Sequence, residues 1–305
     1  MLRNIALFAV FAVFNLSAIA GEFQPLYPDH PVRDIFRKLG PERMRIEEQS
    51  PDSHSKNRRV FSQVSEPVYK MVPAEKSTNT GIGIVLFPGG GFVDIWLDKE
   101  GTDIAQWLSK QGITSMIVKY STLRDADGRD IMPRKIYQDA LKQDTARAMI
   151  IMRELGPRLG VDPDKTGMMG FSAGAEAIHW HLFDKKKGGG CCVVNMTTRP
   201  AFAAFIYGAG FGDKQANPSL ALLDDPENLP PVFMATARND EYVDFSRYNY
   251  LRFFYNIIAA VPGSELHIYG EGRHGFALDK RGYSVSTWLD TFYLWLHDIG
   301  MISTS

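Results

Sequence analysis

Short apolar runs alternate with amphipathic stretches along most of the chain, and the two kinds differ in period. Ile82 to Phe87 is a β-branched run bounded by glycine, the pattern of a strand buried on both faces. Gly101 to Gln111 reads as a helix and Ile113 to Tyr120 as the next strand. Lys135 to Leu155 places Ile136, Ala140, Leu141, Ala148, Ile151 and Met152 at helical spacing. The alternation continues with a strand at Thr166 to Phe171, a helix at Ala173 to Phe183, and strands at Phe202 to Tyr207 and Val232 to Ala237. A helix at Phe245 to Ala260, a strand at Glu265 to Tyr269 and a closing helix at Ser284 to His297 complete it. Alternating strands and helices predict an α/β fold with a mostly parallel central sheet and helices on both faces. In such sheets, reactive groups sit in loops beyond the carboxyl ends of the strands.

Upstream of this region the pattern changes. Gly21 to Arg59 is polar, punctuated by proline and without a steady period, so residues 21–59 are expected to form an N-terminal arm or partial cap, with one short helix near Arg33 to Leu39. Val60 to Val72 reads as strands, and the main domain is expected to span residues 60–305. The first 20 residues are different again. A short basic start, Met1-Leu2-Arg3, precedes an apolar run from Ile5 to Phe14, then Ala18 and Ala20 at A-x-A spacing. The run is too short to span a bilayer and predicts a signal peptide cleaved after Ala20, leaving a secreted or periplasmic chain without a stable membrane anchor.

Composition narrows the classes. In 305 residues, 45% are apolar and the formal net charge is -1. Charges of both signs are mixed, with no basic block, so no nucleic-acid partner is expected. Cys191 and Cys192 are adjacent, leaving two free thiols or a strained or intermolecular disulfide, and in neither case a disulfide scaffold. Lys185 to Gly190 reads as a charged, Gly-rich insertion, and Asn195-Met196-Thr197 is a glycosylation sequon.

The candidate chemistry falls after the predicted strands. Gly170-Phe171-Ser172-Ala173-Gly174 matches G-x-S-x-G, a sharp strand-to-helix turn that presents a nucleophilic serine. Phe87-Pro88-Gly89-Gly90-Gly91-Phe92 follows the Ile82 strand, and its glycines allow backbone N–H groups to face an oxyanion. The expected oxyanion donors are Gly90, Gly91 and Ala173. His274, in a Gly-rich loop after Tyr269, is the candidate base, and Asp240 is the acid that orients it, with Asp244 as rival. The order Ser, Asp, His is that of the α/β-hydrolase fold. His179 and His181, two apart on a helix, point to different faces, and no metal site or cofactor is expected. Trp96 either lines the substrate pocket or packs, and Glu176 either borders the site or is a surface or buried paired carboxylate. Trp288, Phe292 and Trp295 have the spacing of core residues.

These motifs resemble the acetyl esterase and acetylxylan esterase-like α/β-hydrolases, relatives of hormone-sensitive lipase. The resemblance covers about Val60 to Trp295 and includes Glu100-Gly101, Val118-Lys119-Tyr120, the helix from Asp139 to Arg153, and His274-Gly275-Phe276. Phe92 stands where tyrosine is usual, Ser121 where arginine often follows, and Ala175-Glu176 where Gly-His is common. The substrate-facing candidates are Phe92, Trp96, which follows the glycine loop, and Glu176, one turn after Ser172. The resemblance implies a serine carboxylesterase acting on short-chain esters, acetyl foremost, on small molecules or plant polysaccharides and oligosaccharides. The short stretch between Tyr207 and Pro231 argues against a large lipase lid. Two rival readings are a secreted peptidase on this fold and a non-catalytic binding protein on a hydrolase scaffold.

Overall fold

The computed structural model describes residues 21–29, 33–48, 56–183, 198–208, 228–243, 248–280 and 282–303. The expected signal peptide, Cys191 and Cys192, the Lys185 to Gly190 insertion, the Asn195 sequon, Asp244 and most of the Tyr207 to Pro231 connection lie outside the described residues.

The chain builds eleven strands among these residues: β1 (Gln24–Pro25), β2 (Arg43–Glu48), β3 (Asn57–Ser62), β4 (Val68–Val72), β5 (Gly83–Phe87), β6 (Asp94–Ile95), β7 (Thr114–Lys119), β8 (Thr166–Phe171), β9 (Ala203–Ile206), β10 (Val232–Ala237) and β11 (Glu265–Tyr269). The α-helices are α1 (Asp103–Lys110), α2 (Arg134–Leu155), α3 (Ala173–Phe183), α4 (Tyr248–Ala260) and α5 (Trp288–Asp298). Eight strands form the main sheet in the order β1-β4-β7-β5-β8-β9-β10-β11. From β7 to β11 every neighbour is parallel, while β1 and β4 join antiparallel at one edge. Strands β5, β7, β8, β9 and β10 are buried along their whole length, as apolar strands covered on both faces must be.

The predicted bounds of β8, α3, β10 and β11 are those observed. Most other ends move by one or two residues; β3 begins at Asn57, three before the expected Val60, and the expected helix start at Phe245 lies outside the described residues. The predicted helix from Gly101 starts instead as a π-helical turn, Asp98–Thr102, that runs into α1. The closing helix begins as a 3-10 turn, Ser284–Thr287, before α5. Trp288, Phe292 and Trp295 are buried, and both indole N–H groups reach backbone carbonyls, Ala277 and Gly263, at 2.6 Å.

The expected arm carries more regular structure than its sequence suggests. Its short helix is a 3-10 helix at Asp34–Leu39, with Phe36 and Leu39 buried. Beyond it, β2 and β3 pair antiparallel and β3 pairs with β6, giving a second sheet of three strands. Ion pairs tie β2 and β3 to β6 and to the π-helical turn that follows it. Arg45 grips Asp94 through both guanidinium nitrogens at 3.0 and 2.8 Å, and Arg59 holds Asp98 at 2.9 and 2.7 Å. Deeper in, the fully buried Arg58 reaches Asp279 at 2.8 Å and Asp103 at 3.6 Å, and Lys99 reaches Asp279 at 3.3 Å. Burial alone would raise Asp279, but the charges of Lys99 and Arg58 outweigh it and hold the carboxyl below its ordinary value.

Candidate active site

Four strand ends supply the site. β5 leads into Pro88-Gly89-Gly90-Gly91, β8 into Ser172, β10 into Asp240 and β11 into His274. Ser172 has φ of 49°, a left-handed conformation that a side chain adopts at a cost, so its backbone is strained at the turn. The flanking glycines are required by space. A Cβ on Gly170 would meet the Gly174 carbonyl oxygen at 2.5 Å and the Ala175 nitrogen at 2.6 Å, and one on Gly174 would overlap the Phe87 carbonyl. Strand β8, helix α3 and the end of β5 are packed backbone to backbone here.

Ser172, His274 and Asp240 form one hydrogen-bonded chain. His274 Nε2 lies 2.8 Å from Ser172 Oγ, and Nδ1 lies 2.8 and 3.0 Å from the two oxygens of Asp240. Asp240 is buried, and its Oδ1 also accepts the Tyr242 N–H at 2.9 Å. Its neighbours hold the histidine loop. Asn239 Oδ1 accepts the N–H groups of Gly272 and Arg273 at 3.0 and 2.8 Å, and Glu241 accepts the N–H of His274 at 3.1 Å. The imidazole stands between two rings, Tyr207 at 5.1 Å and the exposed Tyr242 at 4.7 Å.

The glycine loop faces the same centre. Its carbonyls are turned into the protein. Pro88 accepts from Tyr120 Oη at 2.7 Å, Gly89 from Trp96 N–H at 3.1 Å, and Gly90 from Val93 and Asp94 N–H at 3.1 and 2.9 Å. Among the described residues, the N–H groups of Gly90, Gly91 and Ala173 donate no hydrogen bond, and all three residues line one pocket with Ser172 and His274. Gly90 and Gly91 have φ of 134° and 64°, and a Cβ on Gly90 would overlap the Asp94 carbonyl. Three unengaged amides beside a serine held by an imidazole are the arrangement that receives a tetrahedral oxyanion.

The pocket holds about 560 Å³. Trp96 and Glu176 both line it. Phe92 touches the pocket but is only 2% exposed, because its ring is stacked on Trp180 at 5.0 Å and meets Tyr137 edge-on at 5.4 Å. It is a floor under the site more than a contact surface. Glu176 pairs with Arg134 at 2.9 Å, and burial pushes its carboxyl up to about 7 against the pull of that arginine. Sequence reasoning did not place Lys99, Glu100, Arg134, Glu241 and Tyr242 at the site; with Gly275 they complete the lining. Only Glu100 carried a signal, through the Glu100-Gly101 pair that belongs to the resemblance. His181 is buried, with Nε2 at 3.0 Å from the Thr198 carbonyl and Nδ1 at 3.2 Å from Thr145 Oγ1. Burial lowers it to about 4.

Comparison with known proteins follows the same lines. No family model matches the chain. An acetylxylan esterase of Xylanibacter ruminicola is 24% identical over an alignment of 246 positions that covers 72% of this chain and 45% of that protein, so the chain spans less than half the length of this curated relative. An acetyl ester-xyloside bifunctional hydrolase from Caldicellulosiruptor lactoaceticus superposes with a TM-score of 0.63 at 21% identity, over 93% of this chain and 98% of that one. A butyrate-bound esterase of Thermogutta terrifontis superposes with a TM-score of 0.57 at 18% identity, over 79% and 92%. Esterase 2 of the same organism, structured phosphorylated by paraoxon, gives 0.58 at 15% identity, over 88% and 97%. The chain has the α/β-hydrolase fold.

Proposed function

On this fold, we propose that the chain is a serine carboxylesterase that hydrolyses short-chain esters, acetyl foremost, through an acyl-enzyme on Ser172. The observation that carries the reading is the unbroken relay from Ser172 Oγ through His274 to Asp240, opening beside three unengaged backbone amides. Ser172 Oγ attacks the ester carbonyl as His274 Nε2 takes its proton. Asp240 holds the imidazole by Nδ1 and balances the imidazolium charge. The N–H groups of Gly90, Gly91 and Ala173 receive the oxyanion. Collapse breaks the bond to the alcohol oxygen, which leaves with the proton from His274. Water then attacks the acyl-serine, gives a proton to His274, and the acid departs as Ser172 regains its hydrogen.

The pocket supports a hydroxyl-rich alcohol and a small acyl group. Lys99, Arg134, Glu176, Glu241 and Tyr242 surround the serine with polar groups, which suit sugar hydroxyls. A long acyl chain gains roughly 0.8 kcal/mol per methylene only where apolar walls bury it. The acetylxylan esterase relative points the same way, to acetyl groups on plant polysaccharides or oligosaccharides, and the Met1 to Ala20 pattern supports action outside the cytoplasm. A panel of p-nitrophenyl esters from acetyl to palmitoyl, run beside acetylated xylan, tests the reading. It predicts kcat/KM highest from acetyl to butyryl and at least tenfold lower from decanoyl upward. Paraoxon is expected to modify Ser172 and abolish the activity. Hydrolysis that persists in Ser172→Ala, or a profile peaking at long chains, would overturn it.

A further inference from the structure

Behind the glycine loop lies a buried carboxylate that the proposed reaction does not consume. Glu100 is 4% exposed and sits on the π-helical turn, one wall of the pocket. Its Oε2 accepts the Gly89 N–H at 2.5 Å, and its Oε1 accepts the Tyr207 O–H at 2.9 Å. Gly89 immediately precedes the two glycines whose amides face the serine. A Cβ on Gly89 would meet the Phe171 carbonyl at 2.7 Å and Ser172 Cβ at 2.8 Å, so this peptide is wedged against the nucleophile's turn. Tyr207, with φ of 39°, ends β9 and sets its ring edge-on to His274 at 5.1 Å and to Phe276 at 4.6 Å. One oxygen of Glu100 thus holds the backbone of the oxyanion loop, and the other holds the ring behind the base.

The chemistry of the group fits that double duty. An ionised carboxylate only accepts, on both oxygens, and its two partners here are both donors. An apolar residue would fill the space with no desolvation cost, but it would take the acceptor away from both buried donors. Burial raises Glu100 above its ordinary value, while the charge of Lys99, the Gly89 N–H and the Tyr207 hydroxyl act in the opposite direction.

We propose that Glu100 is a positioning residue of the hydrolytic centre, keeping the amides of Gly90 and Gly91 and the imidazole of His274 in register around Ser172. The inference rests on the esterase reading above. Its effect falls on the transition state, because the held amides meet the oxyanion and barely meet the ground-state ester. Glu100→Gln keeps the volume but replaces one acceptor by a donor, so Gly89 or Tyr207 loses its match. On p-nitrophenyl acetate, kcat should fall at least tenfold with KM within twofold of wild type. The Ki of an aryl trifluoromethyl ketone, whose adduct on Ser172 carries an oxyanion, should rise by the same factor as kcat/KM falls. Tyr207→Phe removes only the hydroxyl and should show the same pattern at roughly threefold to tenfold. The double variant should fall little below Glu100→Gln alone, since both act on one link. A folded Glu100→Gln with kcat within threefold of wild type, or a fall in kcat with Ki unchanged, overturns the proposal. If Glu100→Gln does not fold, Tyr207→Phe decides, and unchanged kcat and Ki overturn it. A wild-type chain that hydrolyses no ester overturns the esterase reading and this inference with it, whereas an active wild type with an equally active Glu100→Gln overturns this inference alone.

Discussion

Glu176 and Arg134 face each other across 2.9 Å at the pocket, on neighbouring helices, with the carboxylate far more buried than the guanidinium. Glu176 takes up its proton near pH 7 in the fold, against an ordinary value of 4.5. The folded chain therefore binds a proton that the unfolded chain lacks between those values. The associated stability is complete below pH 4.5 and is lost as pH rises through 7, to an upper limit of roughly 3 kcal/mol. Buried His181 runs the other way. Its value of about 4 lies below the ordinary 6.5, so its stability is complete above pH 6.5 and is lost as pH falls through 4. The two slopes oppose each other over most of the same window. Glu176→Gln should therefore gain on wild type as pH rises from 5 to 8, by up to about 3 kcal/mol in urea denaturation. A difference that stays constant with pH would show that Glu176 does not titrate in this range.

The packing at the nucleophile's turn predicts an asymmetry between two glycines. Gly174→Ala drives a Cβ into the Phe87 carbonyl and to 2.8 Å from that of Pro88, backbone atoms that no rotamer change can move away. Displacement of the oxyanion loop by about an ångström costs roughly a hundredfold, so kcat should fall by about that much. A Cβ on Gly91 meets nothing within 4 Å, and its left-handed φ of 64° costs about 1–2 kcal/mol for alanine. Gly91→Ala should lose stability to that extent and retain kcat within about tenfold. Equal kcat losses in the two variants would contradict the close contact between α3 and the end of β5.

Tyr242 is 67% exposed and edge-on to His274, so little of the fold depends on it. Tyr242→Ala should leave the melting temperature unchanged. An aromatic pair is worth about 0.5–1.5 kcal/mol, so kcat/KM for p-nitrophenyl acetate should fall roughly twofold to twelvefold. With ethyl acetate, whose alcohol carries no ring, the fall should be smaller. Equal effects on both substrates would place Tyr242 outside the alcohol-binding wall.

Two arginines of the N-terminal arm should differ sharply. Removing Arg58 leaves Asp279 and Asp103 without it in a buried cluster, and breaking such a pair costs about 3–5 kcal/mol. Arg45 makes a bidentate pair with Asp94, yet it is 43% exposed, and solvent limits such a pair to about 1 kcal/mol. Chemical denaturation of Arg58→Met and Arg45→Ala is expected to separate them in that order. Similar losses would mean that the deeper cluster contributes no more than a surface pair.

Legibility in the sequence followed the range of the interactions. Strands β8 and β10 and helix α3 could be bounded because their apolar periods end at glycine, proline or polar residues close by. The loop residues Ser172, Asp240 and His274 could be picked because each follows a readable strand. Strand β2 was missed although Met44 and Ile46 alternate with Arg43, Arg45 and Glu47, because the run is short and both apolar side chains stay exposed rather than facing the core. Phe92, expected to face substrate, lines the pocket, while most of its ring is taken up by Trp180 and Tyr137, which lie on α3 and α2. Glu100 and Tyr207 are 107 residues apart, and Arg134 and Glu176 are 42 apart. Nothing in a local window states such pairings.

Arg58 and Asp279 are separated by 221 residues. During synthesis at about 5–20 residues per second, roughly ten to forty-five seconds pass between the two leaving the ribosome. Throughout that interval Arg58 can meet Asp103 but not Asp279, so the buried cluster lacks its nearer carboxylate. The cluster is therefore expected to close only after β11 and the histidine loop exist. Until then the nascent chain holds Ser172 on its turn without His274, so on the esterase reading no hydrolysis is expected before the histidine loop is in place.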